Sequence, residues 1–469
     1  MKKSIFAMLS ICALAVNAAD IGRVIVRQQW PWSTAINVEF ELSGVSPSAP
    51  ADVSFRCFNG AAEIPAATVE KAISGARYAL TAGGTYTVAL DPAVLFPSGT
   101  KTVPDFRVTV AASAASEKSL EVLYKIVNLQ SPYDVEDVTR ARLLNGEMGA
   151  VETDYAALGA KYGATFSTSL EDVCIWTGVT NDVKYKSTHM VLRKIPANGK
   201  TFKFLKGLYA KPPGATSNQY LAGYDTSFTN DFYIGVFEVT QEQFKKMKSP
   251  AEGSFYETNA SYSNYRPADG LYWGMDLRGT SNGYKWPYGD HLDLDDGKFF
   301  KKMQDLVGYV FDLPTEAMWE FACRGGTDTD FYSGASYSTE NAIPVMRAKG
   351  VNCEAYPSDW TKAQKQAADL NYGPNIVGSY APNAYGLYDM LGNVAEWCLD
   401  RGDGVVQTGG VDPRGSTVEQ VDNNTNYRVI KGGSFTGDPN RCGNRSRNHQ
   451  TYRDDATGFR VCLYPDFSL

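Results

Sequence analysis

The feature that most constrains the fold is the scarcity of long regular segments in the C-terminal part of the chain. From about residue 186 to the end, tryptophan, glycine, asparagine and arginine are frequent, and runs with helical or strand periodicity are few. Such a region must satisfy its backbone N–H and C=O groups through side chains, ions or water. The sequence therefore predicts a domain of ordered loops, in which many Asn, Asp and Arg side chains bond to the backbone.

Two short helices stand out within this region. The segment TQEQFKKMK starts at Thr240, a suitable N-cap, and TEAMWEFACRGG has Thr315 as its cap and a Gly-Gly stop signal. In the second segment, Trp319, Ala322 and Cys323 follow the i, i+3, i+4 spacing of one helix face. We expect that face to be buried against the core.

The N-terminal part of the chain has a different character. Residues 20–128 contain six segments rich in β-branched and aromatic residues, several of which alternate between apolar and polar, with Gly, Pro and Ser clusters between them. This pattern predicts an all-β sandwich domain. It shows no clustered polar side chains, which favours a spacer or presentation role. Residues 129–185 are interpreted as a connecting segment.

The first residues have the pattern of a secretory signal peptide. Lys2 and Lys3 precede an apolar run from Ile5 to Val16, and Val16 and Ala18 suit a small-residue cleavage site. We therefore expect residues 1–18 to be removed and the protein to be secreted or periplasmic. No later stretch is long and apolar enough to predict a membrane span. The net charge of −7 also argues against a nucleic-acid partner.

Cysteine and histidine usage restricts the possible chemistry. Without Cys12, seven cysteines remain and none forms a CxxC pair, which excludes zinc ribbons and thioredoxin-like motifs. Export permits disulfides, but an odd number leaves at least one thiol free or paired between chains. The three histidines lie far apart in sequence, so a histidine-rich metal site and a Ser-His-Asp hydrolase are both disfavoured.

Five segments, taken in their order and spacing, resemble the formylglycine-generating enzyme (sulfatase-modifying factor) family. The resemblance covers residues 186–465 and implies an α+β fold like an elaborated C-type lectin, preceded here by the β-sandwich. The segments are HMVLRKIPANGKTFKF (189–204), DFYIGVFEVTQEQF (231–244), DLPTEAMWEFACRGG (312–326), VGSYAPNAYGLYDMLGNVAEW (377–397) and RVIKGGSF with RSR and GFR (428–460).

The resemblance also implies a chemistry that this chain does not carry in full. Enzymes of the family oxidise a substrate cysteine to formylglycine with oxygen, through two cysteines just after the GGS motif that bind copper(I). Soft thiolates suit a soft monovalent metal. Here the corresponding segment is TGDPN (436–440), which contains no sulfur. We therefore expect no copper and no catalytic residues of this type.

Cys442 matches a structural cysteine of the family rather than a copper ligand. The resemblance implies Cys323 as its disulfide partner, and a bridge that closes so long a loop is worth ~4 kcal/mol on the chain-entropy model. The alternative, a reactive Cys442 thiol, is disfavoured because one cysteine cannot reproduce a two-thiolate site. The pairing of Cys462 stays open between Cys398, Cys353 and a buried free thiol.

The segment YDMLGNVAEW is the best candidate for a metal site. Asp389 and Glu396 offer hard carboxylate oxygens that suit calcium. The resemblance implies a structural Ca²⁺ bound by these two side chains and by the carbonyls of Gly392 and Val394. The alternative is an ordinary turn with two solvated acids. A second calcium site of the family is doubtful, because Asn371 could supply one ligand but Gly378 stands where the enzymes carry an aspartate.

A cluster of arginines near the C-terminus has two interpretations. Ser434, Arg441, Arg445 and Arg447 could form a polar recognition surface for carboxylate, sulfate or a peptide. The alternative is internal salt bridges and bonds to backbone carbonyls, and Arg460 in GFR is expected to be structural in either case.

Two functional hypotheses follow from these observations. The first is an exported, non-catalytic family member that binds a protein, peptide or glycan at the loop surface around residues 434–456. The second is an oxidoreductase of the formylglycine-generating type that modifies a protein cysteine through an altered site.

Overall fold

The computed structural model divides the chain into two compact units. Unit 1 comprises residues 1–121 and 139–147, and unit 2 comprises residues 122–138 and 148–469. The signal-peptide prediction, residues 1–18, falls almost wholly outside the described residues. The structure describes residues 18–28, 33–97, 105–154, 156–157, 174–210, 215–247, 263–279, 294–333, 361, 364–365, 373–402, 409–413, 427–436 and 441–468.

Unit 1 is built of two antiparallel sheets. One has the order β1-β2-β6-β5 and the other β4-β3-β7. Short helices connect the strands. The elements are β1 (Asp20–Gln28), β2 (Ile36–Ser43), β3 (Ala51–Asn59), β4 (Ala62–Glu63), α1 (Ala66–Ala72), β5 (Ile73–Ser74), β6 (Gly84–Leu90), α2 (Pro92–Leu95), β7 (Phe106–Ala114), α3 (Glu117–Leu120) and, after an excursion into unit 2, α4 (Arg140–Leu144).

Alternation along the strands explains the core of unit 1. In β2, every second residue is buried, and Val38 and Phe40 lie in one apolar cluster with Val53 and Phe55 of β3, which belongs to the other sheet. The segment 139–147 belongs to this unit because Asn145 Oδ1 accepts hydrogen bonds from the backbone N–H groups of residues 77 and 78, each at 3.0 Å.

The largest sheet of unit 2 has the order β16-β22-β15-β10-β8-β9. The strand β8 lies within the stretch that the sequence analysis assigned to the N-terminal domain, and it pairs antiparallel with β10. Buried residues occur on both faces of β8, so burial does not alternate along this strand. The strands are β8 (Val122–Asn128), β9 (Val135–Thr139), β10 (His189–Ile195), β15 (Phe232–Gly235), β16 (Tyr309–Asp312) and β22 (Cys462–Ser468).

The described residues of unit 2 also form three smaller sheets, with the orders β11-β14-β18, β12-β13 and β20-β19-β17-β21. Their strands are short, which agrees with the predicted predominance of loops. They are β11 (Thr201–Phe204), β12 (Tyr209–Ala210), β13 (Gln219–Tyr220), β14 (Tyr224–Ser227), β17 (Ala395–Arg401), β18 (Gly410–Val411), β19 (Tyr427–Lys431), β20 (Ser446–His449) and β21 (Thr457–Gly458).

Both helices predicted in unit 2 are present, as α5 (Gln241–Met247) and α7 (Glu316–Arg324). Thr315 Oγ1 accepts from the Met318 N–H at 3.2 Å, which is the expected N-cap bond, and Gly325 ends the helix in the left-handed conformation. A further helix, α6 (Phe299–Val307), was not predicted. Among the described residues, no helix has the length and apolarity needed to cross a bilayer.

Candidate functional site

The YDMLGNVAEW segment forms a tight turn. Asp389, Gly392 and Asn393 all have positive φ angles, of 57°, 82° and 57°. Asn393 fixes the turn, because its Nδ2 donates to Glu238 Oε2 at 2.6 Å and its Oδ1 accepts from the Asn375 N–H at 2.8 Å. The left-handed conformation at the two non-glycine positions is tolerated because these short polar side chains bond locally.

Glu396 follows the turn at the start of β17 and is wholly buried. Arg460 Nη2 and Nε donate to its two carboxylate oxygens at 2.6 and 2.7 Å, and Trp319 Nε1 donates to Oε2 at 2.6 Å. Arg460 is also buried, and its Nη1 and Nη2 donate to the carbonyls of Gly235 and Tyr388 at 2.9 and 3.0 Å. The expectation that Arg460 is structural agrees with these bonds, which join three separate segments.

Two further carboxylates lie near this ion pair. Burial raises the pKa of Asp389 to about 6, against the opposing effect of the Gly378 N–H, which donates to Asp389 Oδ2 at 2.7 Å. Glu238 has its pKa raised well above its usual range by burial and then by Asp389 and Glu396. Two cations lie near these acids: Arg460, beside all three of them, and the buried Lys186, beside Asp389. If all five groups were ionised, the cluster would carry one more negative than positive charge.

The calcium prediction concerns this cluster. No group of three or more His, Cys, Asp or Glu side chains suited to a metal occurs in the described part of the chain. The predicted ligands are of another composition, two carboxylates and the carbonyls of Gly392 and Val394. Asp389 uses one oxygen for a backbone N–H, and Glu396 shares its oxygens with Arg460. Hard carboxylate and carbonyl oxygens in this turn are the donor type that calcium prefers, so the donor set fits the ion, and calcium binding stays a prediction.

Gly378 explains why the second calcium site of the family is doubtful here. Its φ is +72°, and a Cβ added to it would lie 2.5 Å from Phe237 Cε1 and 3.2 Å from Thr180 Cγ2. An aspartate therefore does not fit at this position without a rearrangement. Asn371, the other residue considered for that site, lies outside the described residues.

The structure brings Cys323 and Cys442 together at the end of α7. Their Sγ atoms are 3.6 Å apart and both side chains are fully buried, although the structure records both residues as free thiols. Burial raises the pKa of the Cys323 thiol well above its usual range, which makes it a poor nucleophile. The disulfide between them stays a prediction. Cys398 and Cys462 are also buried free thiols, and Cys353 lies outside the described residues.

The GGS motif packs on α7 and on the YDMLGNVAEW turn. A Cβ at Gly432 would lie 3.2 Å from both Trp319 Cζ2 and the Met390 carbonyl oxygen, and its φ of +89° also requires glycine. Ser434 Oγ lies 2.8 Å from Thr436 Oγ1 at the surface. Residues 437–440, which complete the sulfur-free TGDPN segment, lie outside the described residues.

Beneath this motif lies a buried ionic network that the sequence analysis missed. Lys431 Nζ donates to Glu320 Oε2 at 3.0 Å, and Arg324 Nε donates to Glu320 Oε1 at 2.9 Å. Glu320 Oε1 also accepts from the Leu205 N–H at 3.0 Å. The acid of α7 thus ties the GGS strand to a distant loop, and only the helix spacing of Glu320 and Arg324 was readable in the sequence.

Two of the four predicted recognition residues bond to other residues of unit 2. Arg445 Nε lies 3.3 Å from Glu316 Oε1, and the Arg445 side chain is nearly buried. Arg447 Nη1 donates to the Gly402 carbonyl at 2.7 Å. For these two arginines, the contacts agree with the internal-bonding interpretation.

Arg441 has a different environment, at a surface that the sequence analysis did not identify. Its guanidinium carbon lies 4.9 Å from the centre of the Tyr220 ring, and its Nε donates to Asn444 Oδ1 at 3.4 Å. Tyr220 pairs across the β12–β13 hairpin with Tyr209, and their ring centres are 5.0 Å apart. The mirrored dipeptides LY (208–209) and YL (220–221) are the sequence signal of this pair.

In its described residues, unit 2 is thus a sheet-rich, loop-rich domain with few helices, organised around a buried Arg–Glu pair, a glycine turn and a GGS motif packed on one helix. A family model described as "Sulfatase-modifying factor enzyme 1-like domain" matches residues 209–464, which is more than half of the chain. The protein therefore belongs to the sulfatase-modifying factor family, as its motifs predicted.

Similar proteins include active and inactive members by name. A formylglycine-generating enzyme of Thermomonospora curvata is 34% identical over 161 residues, which cover 33% of this chain and 45% of the relative. The mouse "Inactive C-alpha-formylglycine-generating enzyme 2" is 33% identical over 122 residues, covering 25% and 35%. The chain thus spans less than half the length of either relative. The solved Treponema denticola variable protein 1 aligns with a TM-score of 0.39 and 23% identity, over 59% of this chain and 96% of that one.

Proposed function

We propose that the protein is an exported, non-catalytic member of the family that acts as a binding module. The observation that carries this proposal is the sulfur-free TGDPN segment after the GGS motif. Without a pair of thiolates on that loop, the chain lacks the soft ligands that would hold copper(I). Export is proposed from the signal-peptide pattern of residues 1–18.

The nearest cysteine in sequence does not replace the missing pair. Cys442 is fully buried and its Sγ faces Cys323 rather than solvent. If these two thiols are oxidised to a disulfide, neither can bind a metal or attack a substrate. The relative named as inactive supports the same interpretation, because it shows that the family includes members described as without activity.

Calcium is proposed as a structural ion and not as part of a reaction. Asp389 and Glu396 would hold it with their carboxylates, and Gly392 and Val394 with their carbonyls. When bound, the ion would supply positive charge beside acids whose burial is otherwise costly. The residues of the chain then keep the turn closed, through the Asn393 bonds to Glu238 and Asn375.

The test is a direct assay of oxidation by the full chain. The protein is titrated with copper(I), and oxygen consumption is followed with a peptide that carries a sulfatase-type cysteine motif. We expect no stoichiometric copper binding at a thiolate site and no formylglycine in the peptide. Copper-dependent turnover would establish the alternative, an oxidoreductase with an altered site. The Cys442→Ser variant should then abolish turnover, whereas in a binding module it should change only stability.

A further inference from the structure

A small aromatic surface lies on the β12–β13 hairpin, next to Arg441. We call Tyr209, Tyr220 and Arg441 the tyrosine patch. The two tyrosines are 55% and 61% exposed, among the most exposed large hydrophobic side chains of the described residues. Their rings are tilted by 51° with centres 5.0 Å apart, and the Arg441 guanidinium lies on the Tyr220 ring. The three side chains therefore form one continuous surface.

The hairpin beneath the patch is anchored in the core. Leu208 and Leu221, next to the two tyrosines, are buried, and the Leu221 N–H donates to the Leu208 carbonyl at 2.9 Å. Gly207, with a φ of +83°, enters the hairpin where an added Cβ would lie 2.9 Å from Asp330 Oδ1. The alternation of buried leucine and exposed tyrosine directs both rings outward.

Arg441 is held by its neighbour in the chain. The Cys442 N–H donates to the Asp330 carbonyl at 2.8 Å, and the Cys442 side chain is fully buried. The arginine thus follows a fixed backbone, and its stacking on Tyr220 restricts the guanidinium further. A surface that is ordered before binding loses less conformational entropy when a partner arrives.

The composition of the patch points to a protein partner. Tyrosine and arginine are enriched at the centres of protein–protein interfaces and dominate their binding energy. Tyrosine offers a large contact area with few rotatable bonds, and the planar guanidinium matches a carboxylate with two parallel hydrogen bonds. A ligand that suits both features combines an apolar group with a carboxylate.

We propose that the tyrosine patch binds a segment of another protein that presents an Asp or Glu side chain beside an apolar side chain. The apolar group would pack on the Tyr209 and Tyr220 rings, and the carboxylate would meet Arg441. This inference rests on the proposed binding function, and it names the surface and the chemical class of the partner. The contact area is small, so the affinity is expected to be modest.

The test uses two displayed libraries of random peptides that are identical except that one lacks Asp and Glu. The full-length protein is the bait, and enriched peptides are synthesised and titrated by fluorescence anisotropy. We expect binders from the acid-containing library only. The double variant Tyr209→Ala with Tyr220→Ala should weaken their binding by about tenfold or more, and Arg441→Gln should weaken it by a comparable factor.

Tyr133→Ala is the matched control, because Tyr133 is 74% exposed and lies outside the patch. It should leave binding unchanged. Arg441→Lys keeps the charge but loses the planar fork, and it should retain only part of the affinity. Thermal unfolding of each variant shows whether it is folded, which is expected because the replaced tyrosine rings are exposed.

Each other outcome overturns the proposal. Equally frequent binders from the library without Asp and Glu would show that the ligand needs no carboxylate. Peptide binding that the tyrosine variants leave unchanged would place the binding site elsewhere, although the protein would still be a binding module. Binding only to polygalacturonate, a carboxylated polysaccharide included in parallel, would replace the protein partner with a glycan. A failure to enrich any peptide also rejects the proposal. Failure of the proposed function is detected separately, as copper-dependent oxidation of the cysteine peptide.

Discussion

Arg460 and Glu396 form an ion pair from which water is excluded on both sides. Removing one partner of such a pair leaves an uncompensated buried charge, which costs more than the pair itself contributes. We expect Arg460→Met to lower the free energy of unfolding of unit 2 by about 3–5 kcal/mol, measured by chemical denaturation. The double variant with Glu396→Gln should recover part of that loss, because it removes the isolated charge.

A matched control for this prediction lies on α5. Lys246 and Glu242 form an i, i+4 ion pair at 3.0 Å whose side chains are partly exposed. Lys246→Ala should change stability by only about 0.5 kcal/mol. A loss as small as this in Arg460→Met would show that the Arg460 site admits water.

Gly378 supplies a second prediction at the residue scale. Gly378→Asp introduces the aspartate of the related enzymes, but its Cβ would meet Phe237 and its backbone would stay at a φ that favours glycine. We expect a destabilisation of about 1–3 kcal/mol and no gain in calcium binding. Adding Phe237→Ala should relieve the clash in part, measured by thermal unfolding and isothermal titration with calcium. Calcium binding gained by Gly378→Asp alone would contradict this account.

Single residues of the site were predictable where a local motif held them. Asp389 and Glu396 were singled out because they frame one short turn, and their calcium role stays a prediction. The bonds of Glu396 are to Trp319 and Arg460, which lie far away in sequence. Glu238 was missed because it lies 155 residues away from its partner Asn393. Lys431 and Glu320 are 111 residues apart, and nothing local in either segment indicates that they meet. Such pairs follow from the tertiary fold alone.

At the scale of elements, α7 is the helix on which the site is assembled. Glu320, in the middle of this helix, accepts from Lys431 at the end of β19, and Cys323 near the end of the helix faces Cys442. We expect the oxidised protein to contain this disulfide, found by peptide mapping without reductant. Its reduction should lower the free energy of unfolding by ~4 kcal/mol on the chain-entropy model.

The control for this prediction is the double variant Cys323→Ser with Cys442→Ser. Its stability should not respond to reductant, whereas a Cys57→Ser variant, altered in unit 1, should respond as the parent protein does. Recovery of both Cys323 and Cys442 as alkylated thiols from the oxidised, unfolded protein would show that the bridge does not form.

Some helices and strands were easier to predict from the sequence than others. Helices α5 and α7 were predicted because each has a polar cap before an amphipathic run. Helix α6 buries Phe299, Phe300, Met303 and Val307 along one face, but its segment, FFKKMQDLV, has no side-chain cap to mark its start. Strand β8 was recognised as a strand, yet its placement was not predictable, because burial on both faces does not identify the partner strand.

At the scale of the whole molecule, the chain passes between its two units more than once. Residues 122–138 leave unit 1 for the large sheet of unit 2, and residues 139–147 return. Composition alone could separate a β-rich N-terminal region from a loop-rich C-terminal one. It could not locate these exchanges, because they depend on pairing between β8 and a strand more than sixty residues later.

Calcium should act on one unit only. The proposed ligands all lie in unit 2, so an ion that binds the folded form stabilises that unit by mass action, by about 2.7 kcal/mol at a free concentration one hundred times the dissociation constant. In differential scanning calorimetry we expect a chelator to lower the transition of unit 2 and to leave that of unit 1 unchanged. Excess calcium should restore it.

The ligand assignment is tested with two carboxylates of unit 2. Asp389→Asn should remove the calcium response, because it deletes a buried charged oxygen beside the turn, while Asp225→Asn should keep it, since Asp225 is exposed and pairs with Lys203. Asp389→Asn should also be less unstable than Asp389→Ala without calcium, because Asn can still accept from the Gly378 N–H. A calcium response that survives Asp389→Asn and Glu396→Gln would place the ion elsewhere. An unfolding profile that does not change with calcium would show that this protein binds no structural calcium.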